Sequence, residues 1–289
     1  MKPLDGPFGV AVEGINLARL TQQAFTDLVD LLHANHIMVV RGQDLAPDDY
    51  IAFGRRWGEI VPYFQARWTL PGWPDILLIT NEAVPGRALP PAENWHADGT
   101  YLSQPHSVTM LYGREAPAEG GETWFAGTAL AYDTLDATER ARLDSLLVKH
   151  MKNGGQRLAL AEEHEKALTL ASQVTPEEQE NLKTVLHPLV LPHPVTGRRA
   201  LYCSTTTAYG IEGMGEDEAI ALLLEVKRHV LQPRFRQSYK TLPGEVLIWD
   251  NFAVLHKAAP TPLSNSDGER RLLHRITVNG LPQMARAAA

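Results

Sequence analysis

The chain has 289 residues, 44% hydrophobic and 21% charged, which is enough for a substantial buried core in one large domain or two small ones. Its 27 Lys and Arg against 34 Asp and Glu give a net charge of −7, with no basic block anywhere. That balance argues against nucleic acid or an anionic membrane surface as the main partner, because both need a concentrated positive field.

The first residues, Met1-Lys2-Pro3-Leu4-Asp5, lack the apolar run of a signal peptide. Residues 9–15 alternate and close in a turn, which predicts a strand. Residues 21–35 put Phe25, Leu28, Leu31 and Leu32 on one helical face behind Thr21, a good N-cap. A short buried strand follows at 37–40. A second amphipathic helix is predicted over 44–59, with Tyr50, Phe53, Gly54 and Trp57 along one side.

From residue 76 onward the pattern changes to short β-type runs at 76–80, 107–112, 123–125, 147–151, 200–204, 245–249 and 272–278. Pro71-Gly72, Gly120-Gly121, Pro243-Gly244 and Asp267-Gly268 punctuate them. Helices are expected at about 130–147 and 215–231, and the polar stretch 153–184 reads as a loop over the sheet, a candidate lid. Cys203, the lone cysteine, excludes an intrachain disulfide and suits a reducing cytoplasm. No apolar stretch approaches the roughly 20 residues that span a bilayer, so the expected location is cytoplasmic. Many short strands with turn punctuation predict a mainly β sandwich or barrel with flanking helices. No repeat or linker divides the chain, so one domain over 1–289 is expected.

The chemistry gathers in three segments. In Asn94-Trp95-His96-Ala97-Asp98-Gly99-Thr100-Tyr101, His96 and Asp98 lie two apart and share a strand face. A distal His256 ends Trp249-Asp250-Asn251-Phe252-Ala253-Val254-Leu255-His256. In Arg270-Arg271-Leu272-Leu273-His274-Arg275, the side chains of Arg271, Leu273 and Arg275 share one face, and His274 alternates away as a packing residue. Two imidazoles and a carboxylate form the facial set that leaves three positions of an octahedral Fe(II) open. A 2-oxo acid can take two of these and O₂ the third. A downstream arginine then clamps the far carboxylate of the 2-oxo acid. The same His96, Asp98 and His256 could instead hold Zn²⁺ in a hydrolase or isomerase on a jelly roll, a reading that gives Arg271 no task.

Together, these segments resemble the taurine dioxygenase family of 2-oxoglutarate enzymes, which also includes phenoxyalkanoate dioxygenases. The resemblance runs in order along nearly the whole chain, through the VVRGQ strand, the FGRRWGE helix and the AEGGETWFA segment. It implies the double-stranded β-helix, or jelly roll, with helices packed outside. It also implies Fe(II), 2-oxoglutarate and O₂ as cofactor and co-substrates, with His96, Asp98 and His256 as catalytic metal ligands. Arg271 and Thr123 match the family's residues for the distal carboxylate of 2-oxoglutarate, and Arg275 matches a second arginine that can bind a substrate anion. The reaction implied is oxidation, usually hydroxylation, of a small organic substrate, with release of succinate and CO₂. The presence of Asp98 argues against the halogenase variant.

The substrate reads less sharply. Tyr63 or Phe64 stands where taurine dioxygenases carry a histidine that grips the sulfonate. Val61-Pro62-Tyr63 and the segment 201–207 also resemble a subgroup that makes isonitriles from N-carboxymethyl amino acids. The expected substrate-binding residues are Tyr63, Arg67, Asn81, Tyr101, Thr206 and Arg275, suited to a carboxylate, amino acid derivative, sulfonate or phosphonate. His106 reads as a loop residue, and His187 and His193 as parts of a strand and turn. A homo-oligomer stays open.

Overall fold

The computed structural model describes residues 1–63, 66–82, 94–152, 183–202 and 207–283. Its strands are β1 (Lys2–Pro3), β2 (Val10–Val12), β3 (Ile37–Val40), β4 (Glu59–Ile60), β5 (Thr69–Leu70), β6 (Trp73–Thr80), β7 (His106–Glu115), β8 (Thr123–Gly127) and β9 (Leu147–His150). They continue with β10 (Val185–Pro188), β11 (Val190–Pro192), β12 (Arg199–Leu201), β13 (Ala208–Ile211), β14 (Arg236–Tyr239), β15 (Val246–Asp250), β16 (Val254–Ala258) and β17 (Leu272–Asn279). The helices are α1 (Gln22–Asn35), α2 (Pro47–Trp57), α3 (Thr128–Asp133), α4 (Ala137–Leu143) and α5 (Glu216–Val230).

Local chemistry sets the helix ends. Thr21 caps α1 by accepting a hydrogen bond from Ala24 N at 3.1 Å. Helix α2 starts at Pro47, later than the expected residue 44, since proline fits the first helical turn, where its missing N–H is not needed. The single helix expected over 130–147 is instead two. Asp136 accepts from Glu139 N at 2.8 Å while the Glu139 carboxylate accepts from Asp136 N at 2.9 Å. This capping box starts a new helix and breaks the old one.

Strands β1-β2-β3-β15-β7-β17-β6-β5 form one large sheet in that order, with β4 paired to β17. All its pairs are antiparallel except β2 with β3. Period-2 alternation divides its side chains cleanly. Met38, Val40, Met110, Val246, Ile248, Ile276 and Val278 face outward and bury against Phe25, Leu28 and Leu32 of α1 and Tyr50, Phe53 and Trp57 of α2. Ile37, Val39, Leu111, Leu247, Trp249 and Leu273 face inward and meet Phe125 and Val254. Those last two belong to a three-stranded sheet, β14-β8-β16. Its other face, with Ala126 and Leu255, packs on Leu222, Leu223, Val226 and Val230 of α5.

Two facing, mainly antiparallel sheets with helices outside make the jelly roll that the resemblance implied. Its interior therefore receives every second residue of β7, β8, β15, β16 and β17. The proposed lid, 153–184, lies outside the described residues except for Lys183 and Thr184, and so does Thr206. Among the described residues, no helix is long and apolar enough to cross a membrane.

Candidate active site

His96 and His256 meet through the backbone. His96 N donates to His256 O at 3.0 Å and His256 N to His96 O at 2.8 Å, an isolated antiparallel bridge. Residues directly opposite in such a pair point to the same side, which brings the ring centroids to 4.2 Å. Asp98, two residues on, shares the face of His96. Its Oδ1 lies 3.7 Å from His96 Nε2 and its Oδ2 3.8 Å from His256 Nε2. One ligand-type atom from each of the three falls within 4.8 Å of the others. Gly99 turns the chain away at once with φ +70°, and a Cβ there would sit 2.9 Å from His106 N, so only glycine fits.

The donor set suits a divalent metal. His96 Nδ1 lies 2.7 Å from Asn94 O, which fixes the proton on Nδ1 and leaves Nε2 bare toward Asp98. Burial lowers the pKa of both His96 and His256, keeping them neutral as ligation requires. Burial alone would raise the Asp98 carboxyl, but Arg275, with help from His256 and His96, holds it far below the carboxylate range. Arg275 Nη2 sits 2.7 Å from Asp98 Oδ1, and Thr109 donates to Oδ2 at 2.7 Å.

Thr123 opens β8, which pairs with the strand of His256, and Arg271 immediately precedes β17. Both are buried, and Thr123 shares the inward face of β8 with Phe125. Arg271 Nε donates to Gly121 O at 3.1 Å, so the Gly120-Gly121 turn cradles the side chain. Its Nη1 and Nη2 make no hydrogen bond or ion pair among the described residues. Burial lowers its pKa to about 10, with Glu122 opposing, so it stays cationic at neutral pH. A buried guanidinium with two unengaged nitrogens is an anion site.

A cavity of about 310 Å³ opens beside the triad, lined by Tyr63, Asp75, Leu77, Tyr101, Thr207 and Arg275 among others. Three of the expected substrate residues, Tyr63, Tyr101 and Arg275, therefore come together there. Arg67 and Asn81 do not line it. Arg67 is exposed, with its guanidinium 5.2 Å from the Trp68 ring. Asn81 is buried and bound to backbone: it accepts from Arg271 N at 2.6 Å and donates to Pro262 O at 2.8 Å and Glu269 O at 3.0 Å. Its amide braces the Arg271 strand, so Asn81→Ala is expected to cost about 1–3 kcal/mol of stability in urea unfolding through the polar groups it strands. Unchanged stability would show that the brace carries no weight.

Several lining residues escaped the sequence reading. His106 is not in a loop but opens β7 and lines the cavity. Asp75 carries no motif, Thr207 entered only as the end of the 201–207 segment, and Thr109, which reaches Asp98, carries none either. Thr109 could have been found only from its parity with Leu111 on the inward face.

A second group of metal-type side chains, His33, His193 and Asp250, also lies within 4.8 Å and is buried. It suits an ion poorly. His193 Nδ1 accepts from Val195 N and Thr196 N, both at 3.1 Å, which leaves the proton on Nε2, 2.9 Å from Asp250 Oδ2. His193 thus ties its turn to β15, in line with the turn role expected for it.

Comparison with known proteins gives the family. The chain is 28% identical to pentalenolactone F synthase of Streptomyces arenae, over 95% of this chain and 93% of that one. It is likewise 28% identical to the (S)-phenoxypropionate/alpha-ketoglutarate-dioxygenase of Sphingobium herbicidovorans, over 99% and 97% of the two. The crystal structure of a taurine dioxygenase from Burkholderia xenovorans superposes with a TM-score of 0.76 at 30% identity, covering 96% of this chain and 88% of that one. The profile described as "Taurine catabolism dioxygenase TauD, TfdA family" matches residues 1–277, and the chain belongs to that family.

Proposed function

We propose that the chain acts as a single catalytic domain, a 2-oxoglutarate-dependent non-haem iron dioxygenase that oxidises, most simply hydroxylates, a small anionic organic substrate. In this reading His96, Asp98 and His256 hold Fe(II), and Arg271 with Thr123 binds the distal carboxylate of 2-oxoglutarate. Bound iron supplies O₂ activation, coupling oxidative decarboxylation of 2-oxoglutarate to succinate and CO₂ with oxidation of the substrate. The protein's part is to orient the reactants and exclude water. The closed inward face around Phe125, Trp249 and Leu273 supplies a dry wall, and Tyr63, Leu77 and Tyr101 shape the substrate side.

The observation that carries the reading is the pairing of a neutral His₂–Asp cluster with the buried, half-engaged Arg271. A zinc-type hydrolase would have no use for that arginine. The anionic substrate rests on two supports. Arg275 faces the cavity with Nη1 unengaged among the described residues, although its Nη2 and Nε are tied to Asp98 and Thr277. The names of related enzymes, acting on phenoxypropionate and 2,4-dichlorophenoxyacetate, point to carboxylates.

The test is an anaerobic titration of apo-protein with Fe(II) and then 2-oxoglutarate, followed in the visible. A weak charge-transfer band should need both components and vanish in His96→Ala. In Arg271→Ala, 2-oxoglutarate affinity should fall by roughly 30-fold, the loss of about 2 kcal/mol from a charge-assisted pair. Iron-loaded protein with no band would overturn the cofactor assignment and favour the hydrolytic reading. Succinate release screened over small carboxylic, sulfonic, phosphonic and amino acids then finds the substrate, and mass spectrometry of its product separates hydroxylation from isonitrile formation.

A further inference from the structure

We infer that Asn251 and Thr109 are positioning residues for Asp98: together they fix the rotation of its carboxylate. The inference rests on Asp98 being a metal ligand in the reading above.

The argument runs through donor and acceptor capacity. The Trp249 indole N–H can only donate, and it lies 3.1 Å from Asn251 Oδ1. That contact fixes which way the Asn251 amide is turned, so its NH₂ faces Thr109, where Nδ2 donates to Oγ1 at 2.9 Å. Thr109 therefore accepts from Asn251. Its single proton goes to the charged acceptor beside it, Asp98 Oδ2 at 2.7 Å. Asp98 N also points to Asn251 Oδ1, at 3.4 Å.

The pairing of strands places these groups. Thr109 of β7 stands opposite Trp249 of β15 on one side and Thr277 of β17 on the other. Thr277 Oγ1 lies 3.3 Å from Thr109 Oγ1 and accepts from Arg275 Nε at 3.1 Å. Trp249, Asn251 and Thr109 are each at most 1% exposed, so water has no access to replace a missing partner. Each hydrogen bond in the row polarises the next toward the carboxylate. Asp98 is gripped on both oxygens, by Arg275 on Oδ1 and by Thr109 on Oδ2, and cannot swivel. With the Thr109 proton removed, Arg275 alone would hold it and would draw it away from the His256 side.

Cobalt(II) under anaerobic conditions is a suitable probe, because its ligand-field bands report coordination geometry without turnover. Thr109→Val keeps the volume and removes the hydroxyl. Its Co(II) Kd is expected to rise by about 10–100-fold with shifted bands, the usual effect of losing a group that orients a ligand. Thr109→Ser should restore both to near the wild-type values, which a purely steric role would not predict. If Thr109→Val does not fold, Asn251→Ala decides, since it leaves the Thr109 hydroxyl but removes the donor that holds it turned toward Asp98, and the same direction of change is expected. A folded Thr109→Val, or Asn251→Ala in its place, with wild-type Kd and bands would overturn the positioning role. His96→Ala separates the two readings: wild-type Co(II) binding there would sink the metal site itself, whereas its loss beside an unaffected Thr109→Val would sink only the positioning role.

Discussion

Asp98→Asn is expected to lower 2-oxoglutarate turnover by about 10³-fold or more, which corresponds to roughly 4 kcal/mol of lost transition-state stabilisation. The change looks isosteric but is not conservative here. Both carboxylate oxygens face donors, Arg275 Nη2 on one and the Thr109 hydroxyl on the other. An asparagine has one acceptor oxygen, so one donor loses its charged acceptor: Arg275 faces an NH₂, or Thr109 must turn its proton toward Thr277. The proposed metal set also loses its carboxylate, and Arg275 loses its counter-charge. Stability should fall by about 1–3 kcal/mol from the stranded donor alone. Succinate assays, metal titration and urea unfolding read these three effects separately. A variant that keeps wild-type metal affinity and turnover would remove Asp98 from the site.

Acidification should weaken the fold well before its carboxylates titrate. Burial pushes His36 down to about 4 and His150 down to about 3. His36 Nε2 accepts from Arg198 Nη1 at 2.9 Å, so a proton added there would meet a cation. His150 is fully buried, with Nδ1 2.8 Å from Thr207 Oγ1 and Nε2 without a partner among the described residues. Both groups have folded-state values below the unfolded value near 6.5. Their stabilisation is complete above about pH 6.5 and is lost as pH falls toward their native values. The slope is about 1.4 kcal/mol per pH unit for each, so these two together remove about 4 kcal/mol between pH 7 and pH 5. That is a large share of the 5–15 kcal/mol that typically holds a domain. Urea midpoints at the two pH values measure it, and His150→Gln should reduce the difference by about half of that amount. Equal wild-type stability at both pH values would contradict the assignment.

The legible part of the fold was whatever local patterns specify. Strand β3 was read to the residue, and Thr21 was read as the cap of α1, because four apolar residues and a capping hydroxyl are local signals. Strand β16 was not read as a strand, although His256 lies in it, since five residues directly after another strand look like its tail. Strands β1, β4 and β5, two residues each, carry too little alternation to be seen. At the site, the sequence could nominate His96, Asp98, His256 and Arg271, because metal and anion chemistry needs scarce residue types. It could not find Thr109, a common β-former whose significance arises only from standing between Trp249 and Thr277. Asn81 was misplaced for the opposite reason. A polar residue at a strand end suits a pocket, and only the tertiary fold reveals that its amide is occupied by three backbone groups.

The reciprocal backbone bridge between His96 and His256 has a consequence for biosynthesis. More than half the length of the chain separates the two residues, and His256 sits near the end of the sequence. A nascent polypeptide still missing β16 holds only His96 and Asp98 of the proposed metal set. Arg271 emerges later still. Under the proposed roles, the metal set closes only once β16 has folded against the His96 segment, and the anion site only once Arg271 has joined it.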